Sequence, residues 1–127
     1  MNRISIKHLN NNHTDWLRSL SFYKQELHVL DNRLEEIAGK NSDKDMMKEV
    51  EHFQNQFNIR QSNIGLLSRD IQTNIGIIAK ELQQDNGSYV DNGLVKQHDG
   101  LDVRFQEEER MINALRQNFN KFAATWM

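Results

Sequence analysis

No cysteine and no proline occur in the 127 residues, and glycine appears only six times. The missing cysteines exclude disulfides, thiolate metal sites and cysteine nucleophiles. The missing prolines leave no fixed break in any long periodic segment. Charge of one sign is also missing: 16 basic and 18 acidic residues give a net charge of −2. That balance argues against a nucleic-acid or membrane-surface footprint. No apolar run approaches the roughly 18 residues of a membrane span. The opening residues MNRISIKHLNNN lack the apolar core of a signal peptide, so the cytoplasm is the expected compartment.

What is present is apolar spacing that alternates between four and three. The first series is Ile6, Leu9, His13, Trp16, Leu20, Tyr23, Leu27, Leu30, Leu34 and Ile37. A second runs from Met46 through Phe53, Phe57, Ile64, Leu67 and Ile71 to Ile78 and Leu82, and a third from Leu94 through Leu101, Phe105, Ile112 and Leu115 to Phe119, Phe122 and Trp126. Such spacing collects side chains on one seam of a helix, which is how helices pack on helices.

The breaks between the seams set expected boundaries of about 12–39, 42–85 and 91–127, with residues 1–11 left open because the seam continues back to Ile6 across the poor helix stretch Asn10-Asn11-Asn12. Asn12 is expected to cap the first helix and Gly39 to end it, with Ser42 capping the second and Asp43 and Asp45 in its first turn. Asn86-Gly87 marks the next turn. Asp91, with Val90 and Val95 as a hydrophobic staple, is expected to cap the third helix, and Asp99 is the alternative cap because of Gly100. Connections this short force antiparallel neighbours. The expected fold is a single all-α domain, an antiparallel up-down-up three-helix bundle with long coiled-coil-like helices.

Each seam has polar members: His13, Arg60, Asn74, His98 and Glu108. Counting outward from the two turns puts His13 level with Arg69, Glu108 level with Ile71, and His98 level with Glu81. His13 and Glu108 are therefore expected to pair in one polar layer, since an unpaired buried polar group costs a few kcal/mol. Register specification is the ordinary role of such residues. A ligand or metal pocket built from His13, Glu108, His98, Glu81, Arg60 and Asn74 is the sharper alternative.

The second helix also repeats itself: residues 63–73 match residues 74–84 position by position, identically or conservatively. Eleven residues make three nearly drift-free turns, so the seam slides from Asn74 towards Ile75. Gly65 and Gly76 recur in the two copies and form a small-residue strip that another backbone can approach. Ile59, Leu66 and Ile77 form a second apolar stripe, and Phe22 and Val29 a comparable one on the first helix, with Phe22 level with Arg60. Together these seven residues are the candidate interface for a homodimer or a helical protein partner.

Chemical motifs are sparse. Glu49-x-x-His52 is half of a ferritin-like di-iron motif, but the second pair is missing and His52 points outward beside the Val50 seam. His98-x-x-x-Asp102 and the pair His8 and His13 have haemerythrin-like spacing without the required further histidines. His28 and His52 are expected in solvent. No phosphate loop or nucleophile elbow occurs. The basic segment Arg110, Arg116 and Lys121 carries its aromatics on the seam, which suits a helix C-terminus better than a membrane. No cofactor, metal, nucleic acid or membrane is expected.

The stretches Trp16-Leu17-Arg18-Ser19-Leu20-Ser21-Phe22-Tyr23-Lys24 and Glu51-His52-Phe53-Gln54-Asn55-Gln56-Phe57 resemble those of uncharacterised small helical-bundle proteins of Bacteroidetes-type bacteria. The resemblance implies a helical bundle and no activity. The expected function is a non-enzymatic interaction or scaffold module acting through helix–helix association. The alternative is a small-ligand or metal carrier using the polar layer.

Overall fold

A computed structural model describes residues 6–85 and 92–126. Its three helices are α1, Ile6–Lys40, α2, Lys44–Asp85, and α3, Asn92–Trp126. Each packs against the other two, giving the all-α three-helix bundle that the seams imply. Among the described residues, no helix is long and apolar enough to cross a membrane.

The helix ends differ from expectation. Helix α1 starts before Asn12, because Leu9 and His13 are both fully buried and their packing outweighs the poor helix propensity of Asn10, Asn11 and Asn12. Asn12 is thus a mid-helix residue rather than a cap. Gly39 is helical, and the side chain of Asn41 caps α1 by donating to the Ile37 carbonyl at 2.9 Å. Asp43, not Ser42, caps α2: its Oδ1 accepts from the Met46 backbone N–H at 3.0 Å. Asp99 lies inside α3. The expected turn at Asn86-Gly87 and the Asp91 cap fall outside the described residues.

The seams supply the core. One apolar cluster runs from Trp16 to Ile37 on α1, Met46 to Ile71 on α2, and Leu101 to Ala123 on α3. Phe53 and Phe57 interlock with Phe119 and Phe122 at centroid separations of 5.0–6.2 Å. Among the described residues, a second cluster contains Leu9, Ile78, Leu94 and Val95. Between the two clusters lies a layer of buried polar side chains.

Candidate functional site

That layer is built from all three helices. His13 Nε2–H on α1 donates to Asn74 Oδ1 on α2 at 3.0 Å, and Asn74 Nδ2 donates onward to Gln97 Oε1 on α3, also at 3.0 Å. Asn12 Nδ2 donates to His98 Nε2 at 2.9 Å and lies 3.4 Å from His8 Nε2. The His13 and His98 rings stand 5.9 Å apart, edge to face. Trp16 packs 5.0 Å from His98 and stacks 6.0 Å from Phe105. Trp16, Phe105 and Ile112 are all buried and fill the core rather than line a ligand chamber.

These bonds fix where the ring protons sit. His13 uses its Nε2–H, which leaves Nδ1 as a lone pair, buried and without a partner. His98 accepts at Nε2, so its hydrogen is on Nδ1. Asp99 Oδ1 lies 3.5 Å from that nitrogen but out of hydrogen-bond alignment. Burial lowers the His13 pKa below the ordinary histidine value, the bond to Asn74 opposes the shift, and His98 adds to it.

Arg60 and Glu108 form a separate buried layer, with Nη1 of the arginine donating to Oε2 at 2.9 Å. Arg60 also donates to the Met111 sulfur. Burial raises the Glu108 pKa against the opposing pull of Arg60. The expected pairing of His13 with Glu108 is therefore wrong. Their partners Asn74 and Arg60 are 14 positions apart on α2, about 21 Å along the axis. His98 likewise meets Asn12 and Trp16 rather than Glu81, and Glu81 is only half-buried.

Polar side chains also tie the helices together outside the core. Tyr23 donates to Glu109 at 2.6 Å, and Arg116 holds Glu26 with two nitrogens, its Nε at 2.9 Å. Both links join α1 to α3. Arg104 and Asp70 join α3 to α2 at 2.8 Å.

The outer side of the α2/α3 seam is a groove. One cavity of about 410 Å³ is floored by Asn74, Gln97 and Leu101 and edged by Ile77, and a second of about 260 Å³ is floored by Arg60 and Glu108 and edged by Leu66 and Met111. Arg104 lines both. The polar layers and the second apolar stripe, two separate features of the sequence, thus meet in one groove. Ile59, Leu66 and Ile77 are 40–46% exposed. At 100° per residue all three project within about 20° of one another on α2.

No known protein family, curated protein or solved structure matches this chain.

The other candidate interface residues lie elsewhere. Phe22 and Val29 are exposed but project from α1 on the flank of Glu26 and Tyr23, over the α1/α3 seam. They do not widen the α2 stripe into one patch. Gly65 and Gly76 are exposed about 100° round α2 from Leu66 and Ile77, and a Cβ at either would meet nothing within 4 Å. Among the described residues, none uses their small size. Among the described residues, no group of three or more His, Asp or Glu side chains is arranged to hold a metal ion. Glu49, His52 and His28 are exposed. Asn12 and Gln97 also join the polar layer; both lie off the 4-3 seams, so the apolar spacing carries no signal for either.

Proposed function

We propose that this chain is a non-catalytic helix-association module, with the α2/α3 groove as its docking face and a second copy of the chain as the partner. The observation that carries this reading is the exposed stripe Ile59, Leu66 and Ile77, of which Leu66 and Ile77 edge the groove. Its members are spaced by seven and then eleven residues, the two repeats that helices use to track one another. The stripe covers about 27 Å of α2. An antiparallel copy related by a two-fold axis near residue 68 sets Ile59 of one copy against Ile77 of the other, with Leu66 close to the axis. Such self-complementarity is what a two-fold dimer requires.

The small-ligand reading has less to support it, because both groove cavities are open and the polar groups beneath them are mostly satisfied by one another. Replacing Leu66 by glutamate tests the docking face, with Val29→Glu as a control on the α1/α3 side. The expected result is loss of association in L66E alone, with helicity unchanged in both. Equal association of L66E and the parent chain contradicts the reading.

A further inference from the structure

The His13–His98 layer divides the core, and among the described residues Leu9, Ile78, Leu94 and Val95 form an apolar cluster beyond it. These residues lie apart from the main apolar cluster, across the polar layer. The layer depends on His13 being neutral. Its one ring hydrogen is committed to Asn74, and the other nitrogen faces no acceptor. A second proton would give that buried nitrogen an unmatched N–H and put a positive charge beside His98.

Among the described residues, no carboxylate bonds to His13. Helix α2 contacts His13 through the uncharged Asn74. The α2 acids nearest in sequence are Asp70, already paired with Arg104, and Glu81, about two turns on. Helix α3 presents His98; its Asp99 lies 3.5 Å from the His98 ring but is exposed to solvent, and Asp102 is half-buried beside Gln106. On α1 itself, His8 lies 6.4 Å from the His98 ring, and Asp15, two residues beyond His13, is exposed.

We propose that this end of the bundle is an acid-released latch: proton uptake at His13 frees the first turns of α1 and uncovers Leu9, Ile78, Leu94 and Val95, while the main core stays folded. The sign follows from linkage. The folded end holds the proton less readily than the open end, whose histidine titrates near the ordinary 6.5. Closure is therefore complete above that value and is lost progressively as pH falls below it. The inference does not depend on the docking face.

Amide hydrogen exchange on the full chain, corrected for intrinsic rates, tests the latch between about pH 7.5 and about pH 5. The expected result is an acceleration of about 10-fold or more in residues 9–16 and 94–98, with residues 27–37 and 115–123 unchanged. His13→Gln keeps a donor for Asn74 but cannot titrate, and should abolish the acceleration. If that variant does not fold, the His13 resonances of the parent chain decide: their midpoint should coincide with opening. Uniform acceleration along the chain, no acceleration, or acceleration that persists in H13Q overturns the latch.

Discussion

Arg60 reaches Glu108 across the α2/α3 seam at 2.9 Å, and both side chains are more than nine-tenths buried, yet the second carboxylate oxygen of Glu108 has no partner. The pair is half-satisfied. It specifies which faces of α2 and α3 meet, at a desolvation cost that its single strong bond does not fully offset.

Removing one partner should therefore be far worse than removing both. Glu108→Ala strands a buried guanidinium and is expected to cost about 3–5 kcal/mol, whereas the double variant R60M/E108L is expected to be neutral or more stable by about 1–4 kcal/mol. Urea denaturation of both variants checks this. The pH dependence has a definite sign. The folded carboxyl holds its proton more tightly than the unfolded one, so the Glu108 contribution to stability is greatest below the ordinary carboxylate value and declines as pH rises through the folded value. Glu108→Gln should remove that decline.

Tyr23 gives a direct optical test of the α1–α3 contact. Burial, the bond to Glu109 and the Glu109 charge push its hydroxyl up to about 12. Neutral Tyr23 therefore favours the fold, and its contribution is lost as pH rises from the ordinary value of 10.0 through about 12. Ultraviolet titration of a Tyr89→Phe variant should show no phenolate near pH 10 until the chain unfolds. Titration of Tyr23 at the free-tyrosine value in a folded chain would contradict the contact. Tyr23→Phe should cost about 1 kcal/mol, since the partner carboxylate is only half-buried.

The glycines of the eleven-residue repeat make a third test. Both sit in the interior of α2 with open space where a Cβ would be. Gly65→Ala and Gly76→Ala should each stabilise the chain by about 0.5–1 kcal/mol, read as a raised thermal midpoint. If association survives both substitutions, the glycine strip is no part of the docking face. That is the expected result, because the strip lies about 100° round α2 from the stripe.

The architecture was legible in the sequence because seam burial is a one-dimensional signal. His13, Arg60, Asn74, His98 and Glu108 interrupt the apolar spacing, and all five are buried. Their partners were not legible. Between α1 and α2, counting levels from the turn placed His13 beside Arg69, but it meets Asn74. Helical side chains lean towards their own N-termini, so in an antiparallel pair contacts form between residues later in sequence than residues at equal height. The start of α1 before Asn12 moves no level by itself, yet it is what lets Asn12 reach His98. Between α2 and α3 the slip is larger and in the opposite sense. Glu108 lies beside Arg60 rather than Ile71, a difference of 11 positions on α2. The contacts of Phe53 with Phe122 and of Phe57 with Phe119 are displaced in the same sense by four and three positions, which no count from a turn contains.

The stripe on α2 was legible as exposed apolar spacing, but its grouping with Phe22 and Val29 was not. Which seam a residue overhangs depends on where the third helix packs. Tyr23 and Glu26 turn that flank of α1 towards α3.

The mass of the chain in solution tests the central claim most directly. Sedimentation equilibrium from low to high concentration at neutral pH is expected to show a reversible shift from one chain to two, with no larger species, because a two-fold interface closes on itself. A mass of one chain at every concentration would contradict self-association through the α2/α3 face.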